Sequence, residues 1–144
     1  MRSALLVLPF VAACAFVPDS IADAPRNLDS AAARLDCLEV ELLELNDPRV
    51  TYHVGNRCAR PVGIDFRKVI VTGGGQVLPP YDPRGELREA ELDAYGQANV
   101  TILYPGYAAH FCVDVGGLEV DAPSPCPMNL CFAQSGNVWL RVPN

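Results

Sequence analysis

Lysine is nearly absent from this chain: Lys68 stands alone against ten arginines, and histidine occurs only as His53 and His110. With so little positive charge and a formal net of -6, nucleic acid and anionic phosphate surfaces are excluded as default partners. Loss of Arg2 with the leader described below makes the balance one unit more negative, although an acidic body can still bind protein or sugar. The arginine bias itself reads as a mark of a GC-rich genome. No apolar run is long enough to cross a bilayer as a mature helix. Thr72-Gly73-Gly74-Gly75-Gln76 lacks the Lys-Ser/Thr and the helix that a phosphate loop requires, so it reads as a hairpin turn. What the chain has instead is punctuation: thirteen prolines and eleven glycines in 144 residues, as many short strands and turns require.

Alternation fills the intervals. Val50, Tyr52 and Val54 alternate with Thr51, His53 and Gly55, and Val62, Ile64 and Phe66 resume the pattern before Val69-Ile70-Val71. These are two strands and a turn, with a second layer covering the far end. Upstream, Leu38, Val40 and Leu42 share one phase and Leu43 and Leu45 the other, which predicts a strand with a bulge near Leu42-Leu43. Asn46-Asp47-Pro48-Arg49 turns it into a hairpin with Val50 to Asn56, setting Leu45 by Val50, Leu43 by Tyr52, and Cys37 opposite Cys58 or one position away. Val77 to Gly85 is a crossing segment. Glu86 to Ala94 is a short strand or one or two helical turns, and Tyr95-Gly96-Gln97-Ala98 is a turn. Val100, Ile102 and Tyr104 form one strand face, and Phe111, Val113 and Val115 another, opposite His110, Cys112 and Asp114. Residues 116 to 136 form a Gly, Pro and Cys-rich excursion before a last strand, Val138 to Val142. Strands spaced by turns are the signal of an antiparallel sandwich.

Two resemblances add to this. Residues 1 to 14 carry one positive charge, a short apolar run and small residues, which marks an export signal. Its end, Val11-Ala12-Ala13-Cys14, resembles the bacterial lipobox, which implies a diacylglyceryl thioether and an amide-linked acyl chain on Cys14. Several acyl chains make a stable membrane anchor, because each buried methylene contributes about 0.8 kcal/mol. Ala15 after the cysteine implies outer-membrane sorting rather than inner-membrane retention. The alternative is ordinary secretion with cleavage after Ala22-Asp23-Ala24. The strand pattern over roughly residues 38 to 115 resembles the immunoglobulin-like accessory domains of exported bacterial proteins, through Tyr52, Val54, Asn56, Pro61-Val62-x-Ile64, Leu92-Asp93-Ala94 and Val100-x-Ile102-x-Tyr104.

The expected organisation is a signal peptide over 1–13, a lipidated N-terminus and flexible tether over 14–34, and an all-β, immunoglobulin-like antiparallel sandwich of about seven strands over 35–144. The tether, Ala, Pro, Asp and Ser rich, would hold the body roughly 25 Å from the membrane. Without Cys14, five cysteines remain in an oxidising compartment, and an odd number cannot all pair. Cys37 pairs with Cys58. Cys126 closes on Cys131 in a small loop, the arrangement preferred here, or Cys112 reaches one of the two.

Residues that carry chemistry elsewhere have plainer uses here. His53, His110, Cys112, Cys126, Met128 and Cys131 are soft metal ligands, but their spacing fits no compact finger. His53 or His110 with Asp65 or Asp114 and Ser124 or Ser135 lacks a nucleophile-elbow context. Glu39 with Glu41, and Glu89 with Glu91, share solvated strand faces. Asn99-Val100-Thr101 is a glycosylation sequon by letter alone. The sequence therefore points to a non-catalytic envelope lipoprotein that binds or scaffolds. It is held to the membrane at Cys14, with an envelope protein as the class of partner and no cofactor, metal or catalytic residue. A partner would add to an edge strand or sit on the Cys126 to Cys131 loop. The competing expectation is a small periplasmic metal-handling or redox protein using Cys112, Cys126 and Cys131.

Overall fold

The computed structural model describes residues 32–143. The export signal, the lipidation at Cys14 and all of the tether except Ala32–Arg34 lie outside the described residues. Ala32–Arg34, read above as the end of the tether, instead forms an edge strand, β1, paired antiparallel with β2 (Leu38–Asn46).

Alternation becomes a sandwich because each strand has one apolar face that must be covered. β2, β3 (Arg49–Asn56) and β8 (Gln97–Leu103) continue from β1 as a four-stranded antiparallel sheet in the order β1-β2-β3-β8. The facing sheet contains β5 (Ile70–Gly73), β6 (Gln76–Leu78), β9 (His110–Asp114), β10 (Asn129–Ser135) and β11 (Val138–Val142), in the order β11-β10-β9-β5-β6. A two-stranded ribbon of β4 (Val62–Ile64) and β7 (Ala90–Leu92) lies beside them. Leu38, Val40, Leu42, Val50, Tyr52, Val54 and Ile102 from the first sheet share one buried cluster with Val71, Phe111, Val113, Leu130 and Phe132 from the second.

The β2–β3 hairpin contains the predicted bulge. Leu45 faces Val50 and Asn46 faces Arg49, but the register shifts between Leu42 and Glu44, so that Leu42, not Leu43, stands opposite Tyr52. Leu43 is the extra residue and is 43% exposed. Magnitudes favour this. Without the bulge, Leu38, Val40 and Leu42 would turn to solvent at about 1.5–3 kcal/mol each, whereas the bulge leaves one leucine outside and one ladder step unpaired.

Two other expectations change, and one open alternative is decided. β3 and β4 do not pair with each other, since β4 joins β7 in the ribbon. Between them and β5, Phe66–Lys68 makes a single 3-10 turn capped by the Asp65 side chain, which accepts from the Arg67 amide. Glu86 to Ala94 yields the short strand β7 and no helical turn. The excursion over 116–136 contains a full core strand, β10, whose Leu130 and Phe132 are buried between β9 and β11.

Cys37 and Cys58 are disulfide-bonded with α-carbons 5.3 Å apart. The β2–β3 register runs out at Leu38 opposite Asn56, and the Arg57 amide then donates to the Cys37 carbonyl, so the two cysteines meet one position beyond the ladder. Their sequence separation of 21 residues corresponds to about 3 kcal/mol on the chain-entropy view of cross-links. Replacing both by alanine is therefore expected to lower the unfolding free energy by about 3 kcal/mol, which urea denaturation at equilibrium measures; a change below about 1 kcal/mol would contradict it.

Candidate functional site

The second disulfide corrects the expected Cys126–Cys131 loop. Cys131 on β10 lies directly opposite Cys112 on β9, the α-carbons are 3.9 Å apart, and the two are bonded. No described cysteine is free. The preference for self-closure failed because Leu130-Cys131-Phe132 belongs to a strand, whose ladder sets Cys131 opposite Cys112. With Cys112 and Cys131 bonded to each other, these two sulfurs offer no thiolate to a metal.

The catalytic candidates are dispersed and already engaged. Nδ1 of His53 lies 2.7 Å from Oδ1 of Asn99 on the neighbouring strand, while His110 is exposed at the start of β9. Asp65 caps the turn after β4 and receives both the Nε and the terminal nitrogen of Arg67 at 2.8 Å. Those hydrogen bonds hold its carboxyl below the ordinary aspartate value, against the opposing effect of its burial. Asp114 accepts from the amides of Gly116 and Met128 at 2.9 and 3.0 Å and so anchors both ends of the segment between β9 and β10. Ser124 donates to the Cys126 carbonyl at 2.7 Å inside that segment, and Ser135 is exposed at the end of β10. Glu39 sits between Arg34 and Arg57 at 3.4 and 3.5 Å. Glu41 stands opposite His53, and Glu89 and Glu91 are exposed near and on β7. These groups build turns and solvated faces, and among the described residues they bring no nucleophile, base and orienting acid together.

Two polar groups escaped the sequence reading. Asn56 is buried, and its amide donates to the carbonyls of Arg60, Leu92 and Asp93 while its oxygen accepts from the Cys58 amide. It ties the end of β3 to the β7–β8 turn, and its place at the end of an alternating strand was the available signal. Glu119 is fully buried; its Oε2 accepts from the Cys37 amide at 3.0 Å, and its Oε1 has no partner. Nothing in the local sequence marks it, because the bridge it forms opposite Ile64 is isolated. Among the described residues, Asp36, Cys37 and Glu119 gather ligand atoms within 4.8 Å. They do not make a good metal set, since the Cys37 sulfur is in a disulfide and Asp36 faces the Arg60 guanidinium at 3.6 Å.

Among the described residues, two concave surfaces are of interest. One, of about 190 Å³, lies on the outer face of β2, β3 and β8 between Glu39, Glu41, His53, Arg57 and Gln97. The other, of about 360 Å³, lies between the β2–β3 turn and the β10–β11 hairpin, with Asn46 and Asp47 on one side and Gln134, Asn137 and Trp139 on the other.

No protein-family model and no curated protein matches the chain. Among solved structures, it is similar to the candidate lipoprotein ycdA from Bacillus subtilis, at 12% identity and a TM-score of 0.51 over 74% of this chain. The chain spans only 38% of that protein's length. The likeness is one of fold.

Two outcomes check the site's chemistry. Thiol titration of the denatured, unreduced chain should find no reactive sulfur at Cys37, Cys58, Cys112 or Cys131; thiols at Cys112 and Cys131 would restore the metal or redox reading. Asp65 has a lowered folded value, so its contribution to stability is complete above the unfolded aspartate value of about 3.9 and is lost as pH falls through the folded one. Asp65→Asn should accordingly weaken the protein at pH 7 and flatten the loss of stability below about pH 4, seen by thermal melts across pH; parallel profiles for the two proteins would refute the assignment.

Proposed function

We propose that this chain is an envelope lipoprotein, anchored through Cys14, whose sandwich binds or scaffolds an envelope partner without catalysis. The observation that carries the reading is the lipobox-like Val11-Ala12-Ala13-Cys14 at the end of an export signal. The fold likeness to a Bacillus subtilis candidate lipoprotein supports it. The small residue after Cys14 is the feature that would send the protein to an outer membrane, with the body facing the periplasm or the surface.

The immunoglobulin-like assignment is supported by strand order. β2, β3 and β8 correspond to strands A, B and E of that architecture, and β6, β5, β9 and β10 to C′, C, F and G. Those are seven strands, with β1, β4, β7 and β11 as additions at edges and in the side ribbon. The disulfides differ from the antibody pattern, because Cys112 bonds its neighbour on β10 instead of crossing to β3. A binding role without chemistry is supported by the engagement of Asp65, Asp114 and Ser124 in turns. Domains of this type recognise partners at their edges and end loops.

Cys14→Ser is expected to move the chain from the membrane fraction to the soluble fraction of the cell envelope. Capture from detergent-solubilised membranes with the intact lipoprotein, compared with the released variant, should recover an envelope component at near-stoichiometric yield. Membrane association unchanged by the substitution would sink the anchor, and the absence of any recovered component would sink the binding role.

A further inference from the structure

The cleft between the β2–β3 turn and the β10–β11 hairpin is lined by amides, a carboxylate and an indole. Asn46, Gln134 and Asn137 each carry an amide that can both donate and accept, and Asp47 adds an acceptor. No arginine or lysine lines it. Trp139, half-buried on β11 opposite Gln134, is held by edge contacts to Tyr107 and Phe111 at 5.6 and 5.1 Å between ring centroids. Its position is therefore set before any ligand arrives.

Tyr107 forms part of the cleft wall, is 7% exposed, and has a buried hydroxyl with no hydrogen-bond partner. A buried unpaired hydroxyl costs roughly 1–3 kcal/mol, so a fold retains one only where something else offsets it. Burial first, and then the nearby Asp47 charge, push this phenol up to about 12, which keeps it a proton donor throughout the physiological range. The neighbouring polar groups and Tyr107 thus line one small cavity, with the orphaned donor enclosed in its wall.

We infer that this cleft is a binding site for a neutral saccharide, with the ring's C–H face against Trp139 and its hydroxyls meeting Asn46, Asp47, Tyr107, Gln134 and Asn137. The chemistry selects this class. An anionic ligand would meet Asp47 with no cation to offset it, and a purely apolar one would leave the amides unpaired. A sugar ring carries donors and acceptors around its rim and an electropositive C–H face that suits the negative face of an indole. At about 360 Å³ the cleft is near the lower end of small-molecule sites, roughly 300–1,000 Å³, which fits a short saccharide end better than a long polymer lying flat. The inference deepens the binding role proposed above and is independent of the anchor.

Trp139 is the chain's single tryptophan, so its fluorescence reports this site alone. The full-length chain, in a detergent without a sugar headgroup, is titrated with the methyl glycosides of glucose, galactose, mannose and N-acetylglucosamine, with glycerol as the control polyol. A saturable change in Trp139 emission with at least one glycoside, at a dissociation constant on the order of 1 mM, is expected. Tyr107→Phe and Gln134→Ala should each weaken it about fivefold, the loss of one hydrogen bond. Tyr107→Phe should melt no lower than the parent, since it removes an unpaired hydroxyl and keeps the ring. Absence of saturation with every glycoside, an equal response to glycerol, or binding unaltered in both variants overturns the inference. A chain that captures an envelope protein yet leaves Trp139 silent to all four glycosides overturns the saccharide site while the binding role stands. A chain released from the membrane by nothing more than washing, yet responsive to a glycoside, overturns the anchor alone.

Discussion

Inward-pointing leucines occur on β2 in two incompatible phases, and the sandwich depends on a single extra residue that reconciles them. Leu38, Val40 and Leu42 face the core in one parity and Leu45 in the other, with Leu43 bulged outward between them. A strand has a side-chain period of two, so a slip of one residue would expose a whole row. The bulge also sets where the hairpin ends, and therefore brings Cys37 to Cys58 and places Asn56 where it can bind three carbonyls. Everything downstream of β3 in the first sheet inherits that register, including the pairing of Tyr52 with Val100 on β8.

Polar groups inside the sandwich follow the same economy. Tyr52 and Tyr104 are fully buried, and the Tyr52 hydroxyl donates to Tyr104, which donates to the Val69 carbonyl just before β5. The chain of hydrogen bonds crosses from β3 to the entrance of the facing sheet, so it links the layers as well as satisfying both phenols. Burial raises the values of both hydroxyls, in line with the role of a neutral structural link. Tyr107 differs from this pair in having its ring packed and its hydroxyl unsatisfied.

The sequence made the periodic parts legible and hid the parts fixed by distant partners. β2, β3, β8 and β9 were readable because one face of each is buried against the core, so alternation survives in the residue types. β10 was concealed because its outward residue Cys131 is as buried as its inward neighbours, which erases the alternation over Leu130-Cys131-Phe132. The Cys112–Cys131 bond was missed for the same reason: cysteine spacing carries no register, and only the β9–β10 ladder places the two opposite each other. Glu119 and the partnership of β4 with β7 depend on approaches between segments remote in sequence, for which residue type offers no local cue. The end cleft belongs to this class too, since Asn46 and Asn137 occupy ordinary turns until the sandwich brings them to one opening.

The strands and the surface divide the work between them. Between β9 and β10 the chain runs through 115–128 with little regular structure, a length that a compact domain keeps only when it is tied down. Asp114 grips both ends, Ser124 stitches its middle, and the Cys112–Cys131 bond closes its base. That leaves this segment poorly suited to closing over a ligand, and the same holds for the β4–β7 ribbon, which Asn56 fastens at Leu92. The binding proposed for this domain would then fall to surfaces where side chains have no structural partner to give up. The cleft beside Trp139 meets that condition, because its amides come from turn and hairpin positions and the Tyr107 hydroxyl in its wall is already desolvated. A ligand that accepts from Tyr107 would gain a hydrogen bond there at little further desolvation cost to the protein.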